Sequence, residues 1–473
     1  MDFEPYIPSA ANPWTRDLVS HLARRSGFHA AGAQLAEWHG LGPQAAAAQI
    51  VGYPDLDSAL HAKRLSRSGN LLDFAGDTEH ERVELVRAEW AFRMVHGSHG
   101  LRERLVLFWH DLFAVQESKL VHFPMVARHM ETLRRVAGLP FGQVLLEVAR
   151  DPAMLLYLDN RISTKTAPNE NWARELMELY SLGLDQYTQK DVVELARIFT
   201  GWTSPGNQRE SFEFKPDWHD TGDKIFLGEA IQGRSGPEGM QEGLQALEII
   251  TRQPACALHL SLNLLKTFAD PNPAPQVVES FAHILRSEKL DVRRALQTLF
   301  TSAWFYAPER INNLIRTPVE LVVFQAKALG IRNPDLAGLH RASRSMGMDL
   351  LEPPSVGGWD HGQDWFSPMA AEGRLLWAQR VSALPHSPHP VHGTPAMNFD
   401  ALWKAGNGKA LIESLLAKLS LWDVLRKDLD ALHALWLELL ERKNEDDWSP
   451  SFRRKAARLA VLLVLSLPEN CLC

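Results

Sequence analysis

The sequence predicts an all-α protein, with many helices packed orthogonally and one small β-hairpin excursion near residues 210–230. Three observations carry this expectation. Apolar residues recur at helical spacing through nearly every segment. Capping residues, prolines and glycines punctuate those segments where helices start and stop. Alternation of period two appears only around Phe212 and Phe214 and, more weakly, Ile225 and Leu227. No internal repeat of solenoid period is present.

Taken in order, residues 14–25 form an amphipathic helix ending in the run RRSGF, and two short helices follow over 30–39 and 43–51. A longer helix covers 78–97, with Val83, Val86, Trp90 and Met94 at apolar spacing. The segment LRERLVLFWHDLFAV, residues 101–115, is strongly apolar yet contains His110 and Asp111. A histidine there is either a satisfied core residue or a metal ligand or general base. Helices over 140–157, 238–252, 254–268, 275–287, 289–301, 317–330 and 335–347 follow the same logic. Thr317-Pro318 starts one of them, with Pro at the first helical position. Arg316 and Glu320 flank that start and are placed to pair. Residues 351–368, LEPPSVGGWDHGQDWFSP, break all periodicity and read as an ordered loop or cleft wall carrying Trp359 and Trp365. Those rings pack on the core or stack on a ligand. Residues 13–380 are expected as the main helical domain, 381–398 as a flexible Pro- and His-rich connection, and 399–470 as C-terminal helices packed on the main domain.

The densest set of chemically capable residues lies between Pro168 and Thr203, PNENWARELMELYSLGLDQYTQKDVVELARIFTGWT. Asn169 is an N-cap and Gly183 a terminator. Projected at about 100° per residue, Asn171, Arg174, Glu175 and Glu178 fall in a narrow polar seam on an otherwise apolar helix. The next helix starts at Thr188, whose spacing to Asp191 is that of a capping box. It carries Glu194 and Arg197. Buried charges are expensive unless paired. The seam is therefore either an ion-pair network closed by Arg174 and Arg197, or an acid/base or metal site with one carboxylate left for chemistry. Beyond it, a turn-rich loop presents Trp218, His219, Asp220, Asp223 and Lys224. Glu175, Glu178, His110, His219 and Asp220 are the candidate catalytic residues. Asn171, Arg174, Arg197, Lys224, Trp359 and Trp365 are the candidate ligand-binding residues.

Composition narrows the classes. The net charge is −7 without a strong basic run, so no nucleic-acid footprint is evident. Three cysteines form neither a disulfide framework nor a zinc spacing. The N-terminus lacks the basic and apolar regions of a secretory signal. The longest apolar run, 459–467, falls short of the roughly 20 residues a membrane span needs. A soluble cytoplasmic protein is the expectation. No cofactor is specified beyond a candidate divalent metal.

These segments together resemble a bacterial family catalogued as domain of unknown function 1800. The resemblance runs from HLARRSGF near residue 21 to VLLVLSLPE near 469 and includes FWHDLF, WHDTGDKIFLG, RTPVELVV and MGMDLLEPPSVGGWDHGQDWF. Members often read Met-Gly-Gln where Met346, Gly347 and Met348 stand, and FWHNHF where Asp111 and Leu112 stand. A second histidine beside His110 is thus missing. The resemblance also implies a partner similar to sulfatases. Two functions are expected from these readings: a hydrolase of a polar polymer or saccharide, or a non-catalytic binding or assembly protein.

Overall fold

A computed structural model describes residues 3–30, 32–53, 79–97, 99–120, 122–205, 211–331, 336–385, 397–403, 407–441 and 448–473. The chain is predominantly helical, as the sequence predicts, and among the described residues the single expected hairpin excursion is two small two-stranded antiparallel ladders. Pro254–Phe268 and Pro275–Ser287 have the expected bounds, and Glu79–His96, Gly100–Leu112 and Pro318–Leu329 recur with shifted ends. The single helix expected over 140–157 is two, Phe141–Ala149 and Pro152–Tyr157. Asp151 caps the second of these, its side chain accepting from the Ala153 amide at 2.8 Å, and Pro152 occupies the first helical position. The first β ladder pairs Trp202 with Phe214 and Thr203 with Glu213. The second joins Lys224–Phe226 to Glu229–Ile231. The excursion therefore starts earlier than expected, at Trp202, because Gly201 turns the chain with φ +81° and the Lys215 amide donates to its carbonyl.

The core is one continuous apolar cluster in which Trp90, Trp109, Trp172, Trp202 and Trp436 are fully buried. The Gln189–Ile198 helix packs on Glu170–Glu178 on one side and on the Lys224–Phe226 strand on the other. The C-terminal Pro450–Leu465 helix packs on Pro368–Ser382, and Leu472 bridges to Ile315. Residues 386–396, which include most of the expected flexible connection, lie outside the described residues. Residues 381–382 belong to the Pro368–Ser382 helix. Among the described residues no helix is long and apolar enough to cross a membrane.

Candidate functional site

The helical hairpin is built from local signals the sequence spells out. The Asn169 side chain accepts from the Trp172 amide at 3.2 Å and donates to the Leu158 carbonyl at 2.7 Å, so it caps the helix and fixes its start. Thr188 and Asp191 form the reciprocal capping box of the second helix. Trp172, Ala173, Leu176 and Met177 bury the apolar face, and Trp172 meets Phe199 edge-on at 5.7 Å. The first helix is shorter than expected, ending at Glu178, and Gly183 closes the following turn with φ +88°.

Arg174 and Arg197 do not neutralise the seam. Arg174 donates to Gln189 at 2.9 Å and lies 4.0 Å from Glu170, out on the exposed side. Asn171 is exposed. Arg197 turns away to Asp220, which it grips through two nitrogens at 2.9 and 3.1 Å, and to Glu194 at 2.7 Å. Glu178 accepts a hydrogen bond from the Tyr187 hydroxyl. The half-buried Glu175 carboxylate has no hydrogen-bond or ion-pair partner among the described residues. Burial pushes its pKa up, Glu178 adds to the rise, and Arg174 offsets part of it.

Two phenols share the Glu175 field. Burial raises Tyr157 to about 12, helped by Glu352 and Glu175. Burial, Glu175 and Tyr157 raise Tyr180 well above its ordinary value. The Tyr157 hydroxyl donates to Gln116 at 3.2 Å, and the Lys119 ammonium lies 4.5 Å above its ring. Gln116 in turn donates to the Pro353 carbonyl at 2.9 Å, and Glu352 accepts from the Ser118 amide at 3.0 Å. The irregular 351–368 loop thus reaches the Tyr157 side of this site. Sequence reading missed Tyr157, Tyr180, Tyr187, Gln116 and Glu352. Tyr180 was hidden because an aromatic on a buried helix face counts as core, although its hydroxyl needs a partner. Among the described residues it finds only the Met154 sulfur, at 3.7 Å.

A second group gathers His219, Asp220, Lys224 and Arg197 around Glu242. The loop residues are not an exposed tip. His219 and Lys224 are buried, and Glu242 is fully so. Lys224 donates to Glu242 at 2.5 Å and to the Asp220 carbonyl. The Glu242 carboxylate also accepts from the Arg234 amide at 2.6 Å. His219 Nδ1 donates to the Thr200 carbonyl at 2.9 Å, and its Nε2 lies 3.2 Å from Glu242 Oε1. Burial alone raises the pKa of Asp220 and Glu242. Hydrogen bonds from Arg197 and the Gly222 amide, and from His219, Lys224 and the Arg234 amide, outweigh it and leave both carboxyls below their usual range. Every charge here has a partner, so the cluster fastens the β excursion to the Gln189–Ile198 and Met240–Arg252 helices.

His110 belongs to a third group. Its ring is sandwiched between Trp90 at 5.5 Å and Trp359 at 5.1 Å and meets His129 edge-on at 5.8 Å. Burial and His129 push its pKa down to about 3, so the ring is neutral at physiological pH. Asp111 accepts from the Trp359 amide at 2.8 Å and lies 3.2 Å from His361 Nε2. Gly358 permits this approach: a Cβ there would stand 2.3 Å from the Asp111 carboxylate. Trp359 and Trp365 are both buried, and their rings are used inside the protein.

No hydrogen bond, ion pair or ring contact among the described residues joins His110 or His219 to Glu175. Among the described residues no three or more histidine, cysteine, aspartate or glutamate side chains are grouped to hold a metal ion.

Comparison with known proteins places these elements in one family. No curated protein and no solved structure matches the chain. The family model described as protein of unknown function (DUF1800) matches residues 21–471, and the chain belongs to that family.

Proposed function

We propose that Glu175 is the acid–base group of a hydrolase acting on a polar polymer or saccharide, with Glu178 as its second carboxylate. The observation that carries this reading is the half-buried Glu175 carboxylate, without a hydrogen-bond or ion-pair partner among the described residues, whose raised pKa suits proton donation to a leaving oxygen. Glu178, held by Tyr187, lies one helical turn away and activates water as the base. Tyr157 and Gln116 supply a polar wall for substrate hydroxyls. The test is release of reducing ends from a panel of polysaccharides. Glu175→Gln is expected to lower kcat by about 10²–10⁴-fold while the melting temperature is kept. Undiminished hydrolysis in that variant sinks the assignment.

The second reading is a binding or assembly role, with a sulfatase-like protein as partner. It is favoured by Phe366, Met369, Leu375 and Leu376, each about half exposed on or beside the Pro368–Ser382 helix. Under this reading no panel substrate is cleaved, and Leu376→Asp abolishes co-purification of the partner.

A further inference from the structure

We propose that Arg24, Arg25, Arg104 and Arg316 enclose a binding site for one small tetrahedral oxyanion of the phosphate–sulfate class. These arginines come from three parts of the chain: the Arg16–Ser26 helix, the Gly100–Leu112 helix and the extended segment before Thr317. Arg25 is fully buried, and the others are 4–5% exposed. Guanidinium groups are charged and almost never buried without acceptors.

Among the described residues the acceptors leave nitrogens of Arg24, Arg25 and Arg104 without a partner. Arg24 reaches the Ser420 carbonyl at 3.1 Å and Asn312 at 2.9 Å, but its Nε has no partner. Arg25 reaches the Arg310 carbonyl at 2.9 Å and Asn313 at 2.5 Å, leaving Nε and Nη1 without partners. Arg104 contacts Glu320 and the Thr267 carbonyl, leaving Nε bare. Arg316 donates to the Asn470 and Leu472 carbonyls instead of pairing with Glu320, as its position in the sequence had led one to expect. The more distant carboxylates are taken: Asp17 pairs with Arg426 at 2.8 Å, and Asp270 lies 3.6 Å from Arg310.

The unmatched charge shows in its neighbours. Burial, with the neighbouring arginines, pushes Arg24 down to about 9 and Arg104 and Arg316 to about 10, although Cys473 offsets part of the fall in each. Burial and the cations Lys327, Arg24, Arg316 and Lys418 bring His29 to about 3. Cys473 lies in the same field: burial raises its thiol, and the four arginines bring it below its ordinary value. An oxyanion offers several acceptor oxygens to planar guanidinium forks, which is the geometry these groups recognise. The half-exposed turn at residues 311–313 lies against Arg24 and Arg25 through Asn312 and Asn313, so a small free ion fits better than the end of a large molecule.

Titration of the full chain with inorganic phosphate and with sulfate, against chloride at matched ionic strength, tests this. Saturable 1:1 binding is expected by calorimetry, with a concentration-dependent rise in melting temperature. Arg24→Lys and Arg316→Lys are expected to weaken binding at least tenfold. Glu320→Gln, which removes the competing carboxylate and keeps the helix cap, is expected to tighten it several-fold. Should the arginine variants fail to fold, the unmodified chain and Glu320→Gln decide the matter. Binding no stronger than chloride, or unchanged in Glu320→Gln, overturns the site. So does a Cys473→Ser variant that loses as much stability as Arg24→Lys while phosphate leaves the parent unchanged, since the thiolate is then the counter-charge.

Discussion

The two flanks of the Glu170–Ile198 hairpin treat their carboxylates in opposite ways. On the flank facing the β excursion, Glu194, Asp220 and Glu242 are matched by Arg197 and Lys224. On the other flank Glu178 has one phenol, and Glu175 has no hydrogen-bond or ion-pair partner among the described residues. The first arrangement offsets the desolvation of each ion and holds the fold together. The second leaves a carboxyl whose protonation is set by burial and a like charge, which is the condition a proton-transfer group needs. The difference teaches that density of charge in a sequence does not mark a site. What marks it is the charge left over after pairing.

Four substitutions break or sharpen that contrast, in falling order of expected effect on stability. Lys224→Met leaves the buried Glu242 without its cation and is expected to cost about 3–5 kcal/mol in denaturant unfolding. A loss under about 1 kcal/mol would show that the closed flank is not a stability element. Gly243→Ala places a Cβ 2.4 Å from the Trp202 ring. Overpacking of that kind is expected to cost about 1–3 kcal/mol, read by the same unfolding curves. Tyr187→Phe removes the hydrogen bond to Glu178 and is expected to cost about 1 kcal/mol.

Glu175→Gln is expected to change stability by about 0.5 kcal/mol or less, because no partner is lost. Its effect lies in the pH dependence. The folded pKa of Glu175 is raised above the ordinary 4.5, so its contribution is complete below that value and is lost as pH rises through the folded pKa. Asp220 and Glu242 are lowered, so theirs is present above the ordinary carboxylate values and is lost as pH falls through the folded ones. Melting temperature against pH is therefore expected to lose its decline just above pH 4.5 in Glu175→Gln and to keep its acid limb. An unaltered profile would show that Glu175 is an ordinary solvated glutamate.

Much of the fold was legible. Asn169, Thr188, Thr317 and Ser449 cap the helices their positions announce, because capping depends on neighbours three residues away. The break at Asp151-Pro152 carries a capping residue before proline, but the apolar run on both sides masks it. The site was legible only in part. Glu175 and Glu178 were found because helical projection places them on one seam. Tyr157 and Glu352 were not, because 18 and 177 residues separate them from Glu175 and nothing local ties them together.

The sequence by itself determined the helical class, the caps, the hairpin and the membership of 21–471 in one family. These rest on spacing and on short-range hydrogen bonds, which the order of residues encodes directly. Tertiary structure alone decided which acid meets which base. It sent Arg197 to Asp220 instead of the seam, closed Trp359 over His110, and drew four arginines from three segments into one interior. Ion pairing depends on distances between elements remote in the chain, and the energy of each pair depends on how much water that packing removes.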